Sequence, residues 1–428
     1  MKKQVLLYIL PVLIFISACQ KNEVDTLFKD TPEARTNAEI AEVKSDLIGS
    51  QYGWMSEYYY NDSVMHTTLL FKFKEDNRVE IISVFDDYLN KVSNFKMKYA
   101  QQLDLTFDTY SVLSFLMDET HFADFRWELE NTGEGEYKFI SRADKSEGIS
   151  YLTLKKADAN ADARMVELTE IHQIRKKLVR DMSQSFFRNL VFTALADKYS
   201  FEFDQYKDEV TFTGVSDGKI VSFKTKIEIT REGKVILQDP LVVDGKQIRE
   251  FLFVEEDNTL VITDSDGLEG SVMYDRAPAF TVTGIADFFL SNNMNFASEY
   301  SVALQQYYDG MKEAVPTLTG TQLYSQWGYL LLFSNTPPAG STQRHDGFAG
   351  VKYMKVAEDL IYIDSSAAGI FRGDDWFKAL ISSNQAAQVF FGAYFFDPQG
   401  LYVVYDSPGF LYLVSKSYPQ LYMKISQE

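Results

Sequence analysis

Cysteine and histidine are scarce in this chain of 428 residues, which has one cysteine and four histidines. A single cysteine excludes an intrachain disulfide, a cysteine-rich zinc site and an iron–sulfur cluster. Positive charge is also in the minority, with 42 Lys and Arg against 61 Asp and Glu. The net charge of −19 argues against a nucleic-acid partner, because neutralising phosphates requires clustered Lys and Arg.

The short motifs of the common enzyme classes are missing from the sequence. The histidines are not spaced as metal ligands, and no H-E-x-x-H, nucleophile elbow, P-loop or dinucleotide fingerprint occurs. Two acidic pairs keep glycoside hydrolysis open, since that reaction needs only two carboxylates: Asp118 with Glu119 near His121, and Asp374 with Asp375. The sequence otherwise predicts no catalytic residue, no metal site and no cofactor.

The N-terminal residues have the pattern of a bacterial signal peptide. Two lysines precede an uncharged apolar run, residues 5–16, which is too short to span about 30 Å of hydrocarbon. The run leads into an I-S-A-C motif ending at Cys19, which resembles a lipobox, whose cysteine is acylated and becomes the mature N-terminus. We therefore expect a lipoprotein signal peptide over residues 1–18, lipidation of Cys19 and an acylated tether over residues 19–30.

Beyond the tether, the residue pattern predicts an α+β chain in two domains. β-Strand signals with glycine-containing turns dominate residues 31–280, interrupted by an apolar stripe that predicts one long packing helix over about 162–190. This first domain is expected to be mostly antiparallel sheet. Helical segments return near residue 280, and residues 281–428 are predicted to form a smaller α+β domain. It ends in an aromatic-rich β-meander whose first strand is placed at 389–396.

Three stretches of the sequence resemble a known family. They are T-P-E-A-R from Thr31 with Gly53, Trp54 and Tyr58, L-T-F-D-T-Y over 105–110, and G-E-G-E-Y-K-F over 133–139. In these stretches the chain resembles a domain-of-unknown-function family of Bacteroidetes lipoproteins. Its members are typically encoded beside an outer-membrane receptor pair similar to the starch-utilisation transporter and its binding lipoprotein. The resemblance implies nutrient capture at the cell surface and assigns no catalytic or ligand-binding residue.

The polar, acidic residues 20–25 support the same setting. They resemble the short export signal that places Bacteroidetes lipoproteins on the outer face of the outer membrane. A plain flexible tether is the alternative interpretation of this segment. We expect a lipid-anchored protein of the outer membrane that faces the cell exterior.

Aromatic residues are abundant, with 33 Phe, 26 Tyr and 4 Trp. Their flat faces can stack on sugar rings or peptide side chains, although packing in a core is the competing explanation for each of them. The candidates for ligand contact are Trp327, Trp376, Trp54 and Tyr59. The acidic composition favours a neutral glycan or peptide ligand over a polyanion.

Together these features predict a non-catalytic accessory binding protein in glycan or peptide acquisition. Two alternatives stay open, namely a surface glycan or peptide hydrolase and a structural subunit of an outer-membrane uptake complex. The expected partners are the membrane, through the lipid anchor, a glycan or peptide ligand, and an outer-membrane transporter pair.

Overall fold

The computed structural model describes residues 31–60, 65–85, 90–107, 111–118, 123–133, 135–141, 150–205, 207–216, 218–316, 318–326, 328–334, 345–364, 371–373 and 375–428. Contacts divide the chain into two compact units, Met1–Met165 and Val166–Glu428. Among the described residues the helices are α1 (Pro32–Gly49), α2 (Val112–Asp118), α3 (Ala161–Leu178), α4 (Ile285–Ser291), α5 (Val302–Ala314), α6 (Asp375–Ser383) and α7 (Gln385–Gln388), which continues as a π-helical segment over Val389–Phe395.

The first unit is built on a closed antiparallel barrel of eight strands. They are β1 (Trp54–Tyr60), β2 (Met65–Phe73), β3 (Arg78–Ile82), β4 (Asn90–Tyr99), β5 (Leu103–Phe107), β6 (Arg126–Gly133), β7 (Glu136–Ser141) and β8 (Tyr151–Lys156). Each strand pairs with its sequence neighbours, and β1 closes the barrel on β8. Alternate residues point inward, so that β7 buries Tyr137, Phe139 and Ser141. Helix α1 adds Val43 and Leu47 to this core.

The second unit begins with another closed barrel of eight antiparallel strands. They are β9 (Phe187–Phe192), β10 (Lys198–Asp204), β11 (Glu209–Ser216), β12 (Lys219–Ile229), β13 (Lys234–Val243), β14 (Lys246–Val254), β15 (Thr259–Ser265) and β16 (Gly270–Asp275). Strand β9 closes the barrel on β16. The end of α3 packs into this core, where Leu178 is fully buried beside Leu190 and Phe251.

The rest of the second unit is a ten-stranded antiparallel sheet with helices packed on one face. Its strands are β17 (Asn293–Tyr300), β18 (Leu318–Tyr324), β19 (Tyr329–Ser334), β20 (His345–Gly350), β21 (Lys352–Ala357), β22 (Leu360–Asp364), β23 (Phe371–Gly373), β24 (Leu401–Ser407), β25 (Phe410–Ser415) and β26 (Tyr422–Gln427). Their order across the sheet is β21-β22-β24-β25-β26-β17-β18-β19-β20-β23. On the covered face, Phe289, Leu304 and Phe390 of the helical segments pack against Leu413 and Met423.

The predicted fold class, α+β with mostly antiparallel sheet, is confirmed, but two predicted elements are wrong. The long helix ends at Leu178 and not near 190, because the chain turns at Asp181, whose Oδ1 accepts a hydrogen bond from the Ser183 amide at 2.8 Å, and then enters β9. The segment 389–396, predicted as a strand, is mainly π-helical. Its buried rings recur at helical spacing, and the Phe396 amide donates to the Phe391 carbonyl at 2.8 Å.

The predicted boundary near 280 falls where the chain leaves the second barrel for the helix-covered sheet. The predicted domain 31–280 holds both barrels, and the two compact units divide inside it, after Met165. The amino-acid composition changes near residue 280, where helical segments join the strands. The division into compact units depends instead on which strands pair with each other. Pairing between strands is not visible in composition.

Candidate ligand-binding site

The second unit contains a cavity of about 730 Å³. Its lining comes from the end of α3 and the segment that follows it, from β9–β12, from the connection between β16 and α4, from the turn between β21 and β22, and from β24 and β25. This volume is within the range of about 300–1,000 Å³ that is usual for sites of small organic ligands. We refer to this space as the cavity.

One side of the cavity is a row of hydroxyl groups on the outer face of the second barrel, which we call the hydroxyl wall: Ser200, Thr213 and Ser222. The register pairs Ser200 with Thr213 and Thr213 with Ser222, so the three lie side by side on β10, β11 and β12. Their neighbours Phe201 and Phe212 point into the barrel core, because side chains alternate along a strand. The hydroxyls of Thr213 and Ser222 are 2.9 Å apart. Donors and acceptors are therefore presented along one surface.

Aromatic residues also line the cavity, and we call this group the aromatic wall: Phe186, Phe187, Tyr405 and Tyr412. Tyr412 lies on the face of β25 opposite to Leu413 and packs against Phe186, with ring centroids 4.8 Å apart. Tyr405 on β24 is 53% exposed. Tyr405 pairs with Leu411, so its side chain extends from the face of the sheet opposite to that of Tyr412, and it is the exposed ring among the four.

The orientation of Tyr412 is maintained by charged neighbours. Its hydroxyl donates to Glu299 Oε1 at 2.5 Å, and the guanidinium of Arg180 lies 5.4 Å from its ring centroid. Burial raises the pKa of Tyr412 above its ordinary value, and the hydrogen bond to Glu299 raises it further. The hydroxyl therefore stays protonated and remains a donor at physiological pH.

Carboxylates also line the cavity, at Glu202, Asp359 and Asp406. Asp359 is buried in the turn between β21 and β22, and this burial raises the pKa of its carboxyl group. Asp406 forms an ion pair with Lys424 at 3.0 Å. Among the described residues, no group of three or more His, Cys, Asp or Glu side chains is placed to hold a metal ion.

Arg188 on β9 borders the cavity from the inner side of the second barrel, since it alternates with the core residue Leu190, and 4% of its surface is exposed. Its Nη1 donates to the carbonyl of Leu178 at the end of α3, and its guanidinium lies 4.9 Å from the Phe201 ring centroid. Its Nε and Nη2 are buried and have no hydrogen-bond partner within the described part of the chain. Burial lowers the pKa of Arg188. Arg188 is not among the residues predicted from the sequence, although a lone arginine in the run F-F-R-N-L-V-F distinguishes it from its mostly apolar neighbours.

Two of the predicted ligand-contact residues lie in the first unit. Trp54 is fully buried in the first barrel, and its Nε1 donates to the Leu47 carbonyl at 2.8 Å. Its prediction as a stacking platform is therefore wrong, because a ring without exposed surface cannot contact a ligand. Tyr59 is partly exposed and stacks on Tyr151, with centroids 4.6 Å apart. A hydrogen bond to Glu57 raises the pKa of Tyr59 to about 12.

The remaining sequence candidates are placed only in part. Trp376 lies on α6, whereas Trp327 and Cys19 lie outside the described residues. Of the acidic pairs, Asp118 ends α2 and Asp375 begins α6, and their partners fall outside the described residues. No helix in the described ranges is long and apolar enough to cross a membrane.

The comparison with protein families matches the family described as "Domain of unknown function (DUF4302)" over residues 24–255. This is more than half of the chain. The chain belongs to this family. The match reaches from the tether through the first barrel to the end of β14, and it confirms the resemblance to a family of unknown function. No protein with a curated description matches the sequence.

Two solved structures that align over most of the chain are DNA polymerase III subunit beta DnaN sliding clamps from Bartonella birtlesii. The clamp of strain LL-WM9 is 8% identical, with 92% of this chain and 97% of that chain covered and a TM-score of 0.19. The griselimycin-bound clamp is also 8% identical, with 91% and 95% covered and a TM-score of 0.19. Likeness at this level does not bear on the function of the chain.

Proposed function

We propose that the protein is a lipid-anchored protein of the outer-membrane surface that binds a glycan without cleaving it, as an accessory in nutrient acquisition. The observation that carries the proposal is the cavity of about 730 Å³ in the second unit. Its lining contains both the hydroxyl wall and the aromatic wall.

A sugar ring matches both walls because it has hydroxyl groups around its edge and patches of C–H on its faces. Ser200, Thr213 and Ser222 can exchange hydrogen bonds with the edge, and Tyr405 offers an exposed ring to a face. A pocket with an apolar surface and a few placed polar groups is the usual architecture of a small-ligand site.

The proposed location rests on the sequence. The signal-like N-terminus places Cys19 where lipidation is expected, and acyl chains contribute about 0.8 kcal/mol per buried CH₂ to membrane binding. The Bacteroidetes setting and the neighbouring receptor pair come from the resemblance stated above. They support a role in delivering glycans to a transporter.

A glycan array probed with the detergent-solubilised full chain tests the proposal. We expect binding to one class of glycan, and we expect Tyr405→Ala to weaken it about two- to tenfold through loss of stacking. The matched control is Tyr418→Ala, since Tyr418 is 46% exposed in the same unit and does not line the cavity. Equal affinity of both variants, or the absence of any glycan ligand, contradicts the proposal.

A glycan hydrolase is the second candidate, favoured by the carboxylates of the cavity. The raised pKa of Asp359 suits a proton donor, and Glu202 supplies a second carboxylate. If the protein is a hydrolase, we expect reducing ends to accumulate when a bound glycan is incubated with it. We also expect Asp359→Asn to abolish the formation of these reducing ends. Binding without product leaves the accessory role as the function.

A further inference from the structure

Glu202 is an accessible carboxylate in the lining of the cavity. It lies on β10 two residues after Ser200, so it shares the outer face of the second barrel with the hydroxyl wall, while Phe201 between them points into the core. Glu202 is exposed, and it forms no hydrogen bond or ion pair with any other residue that the structure describes. A ligand in the cavity can therefore reach both of its acceptor oxygens.

Two lysines on the same outer face are engaged with other carboxylates. Lys198, on the same strand as Glu202, donates from Nζ to Asp275 Oδ2 at 2.6 Å. Lys224, on β12, has its Nζ 2.6 Å from Glu209 Oε1. Neither lysine pairs with Glu202, so the hydrogen-bond donors for this carboxylate have to come from water or from a bound molecule.

The outer face of the barrel changes in character along its strands. Glu202 pairs with Thr211 in one row across the sheet, the hydroxyl wall forms the next row, and Val215 pairs with Ile220 in the third. Successive rows are about 7 Å apart, because each residue of a strand advances by about 3.4 Å. Ile220 lines the cavity and is 52% exposed. The surface thus passes from a charged acceptor through hydroxyl groups to an apolar side chain.

A sugar ring with two adjacent free hydroxyl groups fits this sequence of groups. An ionised carboxylate has two acceptor oxygens and no donor, so each oxygen of Glu202 can accept from one of the two hydroxyls. Hydrogen bonds to an ionised acceptor are roughly twice as strong as those between neutral groups. The C–H groups of the ring can then contact Ile220, whereas an acidic sugar would be repelled by the carboxylate.

We propose that Glu202 determines the specificity of the cavity by accepting hydrogen bonds from two adjacent hydroxyl groups of one sugar ring. The substrate class is then a neutral glycan with a free vicinal diol. This inference rests on the proposed glycan-binding function and specifies its substrate. It agrees with the net charge of −19, which favours neutral sugars over anionic ones.

The test uses methyl glucoside, methyl galactoside and methyl mannoside, together with analogues that each lack one ring hydroxyl. Binding is measured by ligand-observed NMR with the solubilised full chain. For the hexoside that binds most tightly, we expect the loss of either of two adjacent hydroxyls to weaken binding about tenfold, because each donates to a charged group. Loss of a hydroxyl outside this pair should change the affinity less than about twofold.

Glu202→Gln keeps the shape of the side chain but loses the charge and one acceptor oxygen. We expect the tenfold effect of removing a hydroxyl to shrink to about threefold in this variant, since the two changes remove the same interaction. Glu228→Gln is the matched control, because Glu228 is exposed on β12 of the same barrel and does not line the cavity. The tenfold effect should persist in the control.

The outcomes separate the two proposals. Failure of all three hexosides to bind, or equal affinity of wild type for a hexoside and its analogues, overturns the assignment of Glu202 while a positive glycan array still supports glycan binding. An undiminished hydroxyl effect in Glu202→Gln also overturns the assignment, whatever the melting temperature of the variant. Tighter binding of methyl glucosaminide, whose ammonium group would pair with the carboxylate, replaces the diol by a cation and overturns it as well. An empty array with no hexoside bound overturns both proposals.

Discussion

Aromatic side chains occupy opposite environments in this chain. Trp54 is enclosed in the first barrel and its indole N–H is satisfied by the Leu47 carbonyl, whereas Tyr405 has more than half of its surface exposed. The difference follows from the direction in which each residue points from its strand. For a binding protein, only the outward-pointing ring can contact a ligand, while the inward-pointing ring contributes to stability.

Truncation of Trp54 should destabilise the first unit. We expect Trp54→Ala to lower the free energy of unfolding by about 3–5 kcal/mol, because it removes a fully buried ring and leaves the Leu47 carbonyl unpaired. Tyr52→Ala is the control, since Tyr52 is exposed and its change should stay within about 0.5 kcal/mol. Urea unfolding followed by circular dichroism measures both. Similar losses would show that Trp54 is not a core residue.

Asp275 should make stability dependent on pH. Burial alone raises the pKa of its carboxyl group, but hydrogen bonds from Lys198 at 2.6 Å and Asn189 at 3.1 Å outweigh it and lower the pKa. A lowered native pKa contributes stability above the unfolded value of about 3.9, and this contribution is lost as the pH falls through the native pKa. Wild type should therefore exceed Asp275→Asn in stability at pH 7 and lose this advantage below about pH 4.

The measurement is the urea midpoint of both proteins at pH 7, 5 and 3. Asp244→Asn serves as the control, because Asp244 lies in an exposed turn and the substitution changes the net charge equally. A difference between wild type and Asp275→Asn that persists unchanged at pH 3 would refute the ion-pair explanation.

For single residues, the sequence indicates which side chains could contact a ligand but not which of them are buried. It identified the aromatic candidates but not that Trp54 faces inward, because the same alternating run fits either face until barrel closure decides which is enclosed. Arg188 carried a local signal, a cation among apolar neighbours. The cavity that it borders depends on β24 and β25, which are more than two hundred residues away in the sequence.

Helical and extended segments in this chain share similar apolar spacing. Leu178 and Leu190 fit one stripe in the sequence, yet one ends α3 and the other lies in β9, because the turn at Asp181 separates them. The rings at 390–395 form an apolar run that is equally compatible with a buried strand. The segment forms a helix because its rings pack against α5 and β25. These contacts join residues that are distant in the sequence, so the local pattern does not reveal them.

Helix α3 should contribute to stability through its C-terminal end. We expect Leu178→Ala to cost about 2–5 kcal/mol, because Leu178 is fully buried in the core of the second barrel. Val166→Ala is the matched control on the same helix, since Val166 is 57% exposed and alanine has the higher helix propensity. Its effect should stay within about 0.5 kcal/mol. Equal shifts in the denaturant midpoint would show that the buried end of the helix is misassigned.

On the scale of the whole molecule, sequential antiparallel pairing explains how much of the fold could be predicted. Most strands pair with the next strand in the chain, so strand and turn signals were sufficient to predict an antiparallel, β-rich architecture. Closure of two barrels depends on pairing of β1 with β8 and of β9 with β16. The paired strands are distant in the sequence, and no residue pattern in either strand identifies its partner. The cavity could not be predicted for the same reason, because its lining residues also come from distant parts of the chain.

Membrane attachment is the property of the whole molecule that we expect to depend on one residue, Cys19. In the part of the chain that the structure describes, no helix is suited to span a bilayer, and the apolar run at 5–16 is too short to do so. Cys19→Ser should abolish incorporation of labelled palmitate and release a folded protein into the periplasm or medium. Ser17→Ala keeps Cys19 and should remain in the outer-membrane fraction. Retention of Cys19→Ser in that fraction after a high-salt wash would place the anchor elsewhere, because salt removes attachment by charge and not by acyl chains.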